Sequence, residues 1–254
     1  MRARILGCGT STGVPRIGND WGLCDPNEPR NARLRTSVLV ESARERMLVD
    51  CGPDLRQQLL AAEVGWLEGV IVTHAHGDHC HGIDELRPVS QALGRPVPLH
   101  ARVGVLSELK LRFAYAFQQS EFYRPIVEAR ELNEELEFGK ASVTVLDQPH
   151  GDLTSLGLRF DEDEFSIGYA VDFSTLTDDM AALYKGVDVW IADCLARKPH
   201  PTHMYLDAIL NAARDLGVGQ LYLVHMGNGL DYRELAAELP DWAAPAYDGL
   251  EIAS

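Results

Sequence analysis

Short apolar runs separated by polar or glycine-containing segments recur along the whole chain. Runs of β-branched and large apolar residues predict buried strands, and apolar residues spaced three and four apart predict helices with one buried face. Predicted strands lie near residues 4–6, 36–40, 47–49, 70–72, 96–100, 142–147, 154–160, 165–171, 187–192, 220–224 and 250–252. Predicted helices lie near residues 53–64, 83–93, 103–117, 177–184, 203–216 and 231–239. Strands followed by helices recur in both halves, which is compatible with two sheets packed face to face and helices outside.

Length and composition are those of a folded chain of mixed α and β structure. A chain of 254 residues can bury roughly 70–75% of the surface that it exposes when unfolded. Hydrophobic residues make up 46% and charged residues 24% of the sequence, as in ordinary globular proteins. No repeat or linker divides the sequence, so we expect one α/β domain over residues 1–254.

Charge and cysteine usage narrow the class of partner and the compartment. The net charge of −15 repels polyanions, so extended nucleic-acid binding is not expected. A small anionic substrate is compatible with this charge, because metal ions can invert the local potential. We expect no membrane association, since no signal-type leader or membrane-length apolar window is present. The five scattered cysteines suit free thiols in a reducing compartment, which predicts a cytoplasmic protein.

The candidate chemistry is concentrated directly after the predicted strand 70–72. There the chain reads Thr-His74-Ala-His76-Gly-Asp78-His79, with the glycine expected to allow a sharp turn. Neutral imidazoles and a carboxylate suit zinc, manganese or iron better than magnesium or calcium. Four such side chains exceed what one tetrahedral ion takes from a single loop. The pattern therefore predicts two adjacent ions, with His74 and His76 on one and Asp78 and His79 on the other.

This loop resembles the signature of the metallo-β-lactamase-fold hydrolases. The resemblance covers nearly the whole chain and implies an αββα sandwich, a topology that periodicity alone left open. It also implies that His150 completes the first ion site, that His225 completes the second, and that Asp172 bridges them. Each of these residues follows a predicted strand. Asp50 resembles an acidic residue that lies beneath the ions and accepts an N–H from a ligand imidazole.

The resemblance further implies hydrolysis by a hydroxide that bridges two divalent ions, zinc or manganese. Asp78 and His203 are the predicted catalytic residues, and His203 is expected to start a helix and to protonate the leaving alcohol. His200 is the rival for the role of general acid. Residues predicted to contact the substrate are Ser11 in the glycine-rich loop 7–13, Arg197, Lys198 and His200. That loop suits either a phosphate cradle or a tight turn beside the site.

Within the superfamily, the sequence is most similar to the PhnP-like cyclic-phosphate phosphodiesterases. The shared features are Gly9-Thr10-x-x-Gly13-Val14-Pro15, Trp21-Gly22, Asp193-Cys194 and Tyr247-Asp248-Gly249. The resemblance implies a small cyclic phosphodiester or nucleotide as substrate. Those enzymes also hold a structural zinc through a cysteine-rich loop. Here only Cys24 remains of that loop and Asn228 replaces a histidine, so we predict no structural zinc.

Two other functions share the core motifs, a tRNA 3′-processing endonuclease and a glyoxalase-type thioester hydrolase. The first needs a basic arm to hold tRNA, and no such segment is present. A scaffold without catalysis would be expected to lose metal ligands, and none is lost. The aromatic residues of segment 113–123 suit a substrate lid, a homodimer contact or core packing.

Overall fold

Two seven-stranded sheets packed face to face, with helices outside, make up the structure, a computed structural model that describes residues 1–253. The predicted αββα sandwich is therefore confirmed. The strands are β1 Arg2–Gly7, β2 Ser37–Ser42, β3 Glu45–Val49, β4 Gly69–Ile71, β5 Val97–Ala101, β6 Val127–Glu131, β7 Glu135–Phe138, β8 Ala141–His150, β9 Leu153–Glu162, β10 Phe165–Ala170, β11 Val189–Asp193, β12 Gln220–Val224, β13 Ala243–Pro245 and β14 Glu251–Ala253. The helices are α1 Leu55–Ala61, α2 Gly77–Cys80, α3 Arg87–Leu93, α4 Val103–Arg112, α5 Ala114–Phe117, α6 Asp178–Tyr184, α7 Leu206–Leu216 and α8 Tyr232–Glu238.

Both sheets are mixed, and each has a parallel part. The first sheet has the order β14-β1-β2-β3-β4-β5-β6, with parallel pairing from β3 to β6. The second has the order β13-β12-β11-β10-β9-β8-β7, with parallel pairing from β10 to β13. Strand β8 is antiparallel to β9, which is antiparallel to β10, so β8 runs in the same direction as β10. The carboxyl ends of β8, β10, β11 and β12 therefore meet at one edge of the second sheet.

Two apolar clusters hold the layers together. The larger one contains side chains of both sheets, for example Val38 and Val49 from the first and Leu158 and Ile191 from the second. The smaller one packs the outer face of the first sheet on its helices, with Leu48 against residues such as Leu55. Because both faces of the central strands are covered, these strands read as continuous apolar runs in the sequence.

Three strands were not predicted, namely β6, β7 and β13. All three lie at the edges of their sheets. The sequences VEARE and ELEF are mostly polar, and β13 ends in Pro245. Edge strands commonly carry charges or proline, which protect an open row of backbone groups from further pairing. Such strands lack the apolar run from which the other strands were predicted.

The predicted helix 103–117 is interrupted, and its aromatic residues have two different environments. Phe113 ends α4 with φ −120° and ψ 38°, and α5 begins directly after it. Phe117 packs against the smaller apolar cluster, as core packing predicts. In contrast, Tyr115, Phe122 and Tyr123 are exposed. Among residues 1–253, no helix combines the length and the apolar character that crossing a membrane requires.

Asp248 links the C-terminal segment to the start of the chain. Its carboxylate accepts a hydrogen bond from the backbone N–H of Cys8 at 3.0 Å and from that of Leu34 at 2.7 Å. Cys8 follows β1, and Leu34 precedes β2. One carboxylate therefore accepts hydrogen bonds from two separate segments, one directly after β1 and one shortly before β2.

We predict that Asp248→Ala lowers the free energy of unfolding by about 2–4 kcal/mol, because two largely buried backbone donors lose their acceptor. Urea denaturation followed by circular dichroism measures this change. The matched control is Asp241→Ala, an exposed position expected to change stability by less than about 0.5 kcal/mol. Equal stabilities of the two variants would contradict this role of Asp248.

Candidate active site

Polar side chains converge where the strands of both sheets end. Six of the predicted site residues lie at or just after the carboxyl end of a strand: Asp50 follows β3, His74 and His76 follow β4, His150 ends β8, Asp172 follows β10, and His225 follows β12. Asp78 and His79 lie in the short helix α2, one turn beyond His74. The sandwich therefore brings residues from positions 50 to 225 to one edge.

The seven side chains predicted as metal ligands form two groups that share Asp172. In the first group, His74, His76, His150 and Asp172 each offer a ligand atom within 4.8 Å of the others. In the second, the same holds for Asp78, His79, Asp172 and His225. The carboxylate of Asp172 lies 3.2 Å from His74 Nε2, 3.1 Å from His79 Nε2 and 3.2 Å from His225 Nε2. This is the division expected from the sequence; the role of these residues as ligands stays a prediction.

Asp50 orients two of the imidazoles from below. It is fully buried and lies 2.7 Å from His79 Nδ1. It also accepts the backbone N–H of Thr73 at 2.8 Å and the hydroxyl of Thr73 at 3.0 Å. Because the hydroxyl of Thr73 donates to Asp50, its oxygen can accept the Nδ1–H of His74 at 3.0 Å. Both imidazoles are thus oriented with Nδ1 toward these acceptors and Nε2 toward Asp172.

His150 and His225 are oriented in the same way by other segments. The Nδ1 of His150 donates to the backbone carbonyl of Thr202 at 2.9 Å. The hydroxyl of Thr36 donates to the carbonyl of Gly9 and lies 3.3 Å from Nδ1 of His225, so its oxygen can accept that N–H. Sequence reasoning missed both threonines and Thr73, because a threonine beside a ligand carries no signal of its own. Fixing the proton on Nδ1 leaves Nε2 free to coordinate a metal ion.

Two buried atoms in this cluster have no hydrogen-bond partner among residues 1–253. They are Nε2 of His79 and Oδ1 of Asp172. A buried polar atom without a partner costs free energy, and a bound cation removes that cost. Burial raises the pKa of Asp172, but His225 and His79 outweigh it and hold that pKa well below its ordinary value. A carboxylate surrounded by imidazole nitrogens is a donor set that fits a divalent ion such as zinc or manganese.

The backbone is strained at three of these positions. Asp50, Asp172 and His225 have φ values of 63°, 57° and 57°, in the left-handed region that non-glycine residues rarely adopt. Each such residue costs about 1–3 kcal/mol and persists only where the surrounding structure enforces it. Three strained residues at one cluster of polar groups indicate a functional site.

Close backbone approach, rather than a special conformation, explains the glycines around the histidine loop. A Cβ at Gly52 would lie 2.0 Å from the carbonyl oxygen of Asp78, and a Cβ at Gly82 would lie 2.1 Å from that of Gly52. Gly77 has an ordinary φ and begins α2, so the sharp turn expected there is a helical turn. This short helix brings Asp78 and His79 toward the first two histidines.

His203 lies beside the cluster, and Asp193 orients it. The Nδ1 of His203 donates to Asp193 at 2.9 Å, and its ring lies 5.1 Å from that of His225. Burial lowers the pKa of His203, but the hydrogen bond to Asp193 outweighs it, so this pKa lies above its ordinary value. The predicted start of a helix at His203 is wrong, since α7 begins at Leu206. Asp193 ends β11, a position from which its role could have been inferred.

The four residues predicted to contact substrate have different surroundings. Ser11 and His203 line the cavity of about 380 Å³ that lies over the cluster. Arg197 instead binds Glu238 on α8, with 2.6 Å between the charged atoms. His200 is exposed and packs its ring 5.2 Å from that of His203, and Lys198 is exposed. Of the four, the structure brings only Ser11 to the cavity wall.

The family follows from comparison with known proteins. The Beta-lactamase superfamily domain matches residues 45–226, most of the chain. The chain belongs to this superfamily, and the prediction of a metal-dependent hydrolase of the metallo-β-lactamase fold is confirmed.

Three similar proteins narrow the relationship. A crystal structure described as a new diphosphatase from the PhnP family superimposes with a TM-score of 0.90, at 34% identity over 99% of this chain and 97% of that one. An octanoyltransferase of Porphyromonas gingivalis is 31% identical over 99% of this chain. A ribonuclease Z of Pseudomonas putida is 36% identical over 37% of this chain. The chain spans 51% of the octanoyltransferase and 26% of the ribonuclease Z.

Proposed function

We propose that the chain is a dinuclear metal-dependent phosphodiesterase for small phosphodiesters, including cyclic phosphates and nucleotides. The observation that carries this proposal is one arrangement of side chains. Two groups of ligand-type atoms share Asp172, and an imidazole held by a buried carboxylate, His203 with Asp193, lies beside them. The likeness to a PhnP-family diphosphatase supports chemistry at phosphorus.

In this proposal His74, His76, His150 and Asp172 hold one ion, and Asp78, His79, Asp172 and His225 hold the other. Divalent ions bound there would make a nucleophile available at neutral pH and would stabilise the charge that develops on phosphate oxygens. The chain's own residues position the reactants. Asp78 lines the cavity and is placed to accept a hydrogen bond from the attacking water.

His203 supplies the proton that an alcohol leaving group needs. Asp193 binds its Nδ1, which leaves Nε2 as the atom that can hold a proton toward the substrate. The raised pKa of His203 favours the imidazolium form near neutral pH, in which that proton is present. A built-in acid supports an ester with a poor leaving group, because an alkoxide departs slowly unless it is protonated.

The same acid distinguishes the proposal from cleavage of a diphosphate. A phosphate leaving group is a weaker base than an alkoxide and departs without a proton donor. The likeness to a diphosphatase makes that activity the second candidate. The octanoyltransferase relative makes an octanoyl thioester worth testing, although it aligns with this chain over only 51% of its length. The net charge of −15 opposes binding of a long RNA, so tRNA processing is not favoured.

The test of the proposed function is an activity screen after loading with zinc or manganese. The substrates are a cyclic phosphodiester, a linear phosphodiester, a phosphomonoester, a nucleoside diphosphate, an octanoyl thioester and a β-lactam. We expect the highest kcat/KM on a phosphodiester. A higher value on the diphosphate would instead support the second candidate, and thioester turnover alone would overturn both.

We predict two metal ions per chain after saturation with zinc or manganese, because each of the two groups offers four ligand atoms. Elemental analysis of the protein after gel filtration measures this number. His225→Ala should retain fewer ions than the parent chain, since it removes an imidazole from the second group. A parent protein with one ion or none would contradict the dinuclear site.

We predict that His203→Ala lowers turnover of a diester with a poor alcohol leaving group by about 10²–10⁴-fold. With a p-nitrophenyl diester the loss should be smaller, because that leaving group departs without a proton. The matched control is His200→Ala, which should have little effect on either substrate. Steady-state rates and metal content are measured for all three proteins. If His203→Ala hydrolyses both diesters at the parent rate, His203 is not the acid.

We predict that Asp50→Asn lowers metal affinity by about 10–100-fold, because an amide is a poorer acceptor for the Nδ1–H of His79 and the Thr73 hydroxyl. Competition with a chromophoric chelator measures this affinity. Asp241→Asn is the control, as it removes a negative charge from an exposed position far along the chain. Equal affinities of the two variants would show that Asp50 does not support the ion site.

A further inference from the structure

A second cavity of about 440 Å³ lies beside the candidate active site. It shares His76 and Leu153 with the cavity over the cluster, so the two are neighbours on either side of these residues. The backbone of the histidine loop, including Ala75, forms one wall, and strands β8 and β9 contribute another. A volume between about 300 and 1,000 Å³ is typical of pockets for small ligands. A group attached to a phosphate at the cluster would have room there.

Helix α4 supplies the third wall through a single stripe of side chains. Val105, Glu108 and Arg112 line the cavity, together with Arg102 just before the helix. Their spacing of three, three and four residues places them on one helix face. The helix was predicted from the sequence, but this stripe was not recognised as functional, because Val105 alone is apolar and the remaining positions read as a solvated face.

The charges on these walls balance. Arg102 binds Asp147 with 3.0 Å between the charged atoms, and Arg112 forms an ion pair with Glu108. Two guanidinium groups therefore face two carboxylates, and the cavity has no excess of positive charge to attract a second phosphate. These four groups do offer many hydrogen-bond donors and acceptors along the walls of the cavity.

Arg112 also connects this wall to the histidine loop. It donates a hydrogen bond to the carbonyl oxygen of Ala75, the residue between His74 and His76. The wall formed by α4 is thus joined directly to the backbone that carries two predicted ligands. A group seated in the cavity would lie at a defined place relative to the cluster.

We infer that this cavity binds the uncharged, hydroxyl-bearing part of the substrate, the sugar of a nucleoside. This inference rests on the proposed function and names its substrate class. Sugar hydroxyls both donate and accept hydrogen bonds, and they match paired guanidinium and carboxylate groups. An octanoyl chain does not match them, because four charged side chains line the walls. The apolar faces of Val105 and Leu153 suit the ring of the sugar or the base.

The test fills the cavity and compares two diesters that differ only in the group expected to enter it. The substrates are uridine 5′-(p-nitrophenyl phosphate) and methyl p-nitrophenyl phosphate. We expect Val105→Trp to lower the ratio of their kcat/KM values by about 10-fold or more, because the indole occupies the space of the sugar. Thr154→Tyr fills the same cavity from an exposed position on β9 and should act in the same direction. Ala61→Trp, which lies in another cavity at α1, should leave the ratio unchanged.

Binding of products separates this inference from the proposed function. Calorimetry compares uridine 5′-monophosphate with methyl phosphate on metal-loaded parent and variants. If no diester is hydrolysed but uridine 5′-monophosphate binds more tightly and both filling variants lose that preference, the proposed function fails and the pocket stands. If the parent shows no preference, or both filling variants keep the parent ratio, the pocket assignment is wrong.

Discussion

The site depends on one buried carboxylate, that of Asp172, which faces the Nε2 atoms of His74, His79 and His225 at 3.1–3.2 Å. A charged group removed from water requires compensation, and here His225 and His79 provide it by holding the pKa of Asp172 well below its ordinary value. Three of the residues around the cluster, Asp50, Asp172 and His225, are held in left-handed conformations.

The sandwich meets this requirement through the direction of its strands. In the second sheet, β8, β10, β11 and β12 all end at one edge, so His150, Asp172, Asp193 and His225 reach the same place from distant parts of the chain. The first sheet contributes the histidine loop and Asp50. The apolar cluster between the sheets fixes the separation of the two groups of residues. Oxygen acceptors around the cluster then orient the rings of His74, His79, His150 and His225 through Nδ1.

In the proposed function, chemistry and selectivity have separate structural origins. The cluster and Asp193, which orients His203, lie at strand ends. The neighbouring cavity depends on the face of α4 and on Leu153 and Thr154 of β9. Proteins described as a diphosphatase, an octanoyltransferase and a ribonuclease Z are 34%, 31% and 36% identical to this chain, the last over only 37% of it. Substrate choice within such a group is therefore expected to follow from walls like that of α4.

The sequence by itself determined the central strands, because buried parallel strands leave continuous apolar runs, and the four candidate ligands of the histidine loop, because that loop is a compact local pattern. The sandwich and the three later ligands followed from the family resemblance. The sequence did not reveal β6, β7 and β13, since edge strands need no apolar run. Nor did it reveal Thr36, Thr73 and Thr202 as partners of imidazoles, or the pairing of Asp193 with His203. Thr36 meets His225 only when the two sheets pack, and His150 meets Thr202 only when the loop before α7 folds over the end of β8. Hydrogen bonds between residues so distant in sequence leave no local pattern, and the adjacent pair Thr73–His74 reads as an ordinary strand end. Only the tertiary structure shows that Arg197, predicted to contact the substrate, instead forms an ion pair with Glu238 on α8.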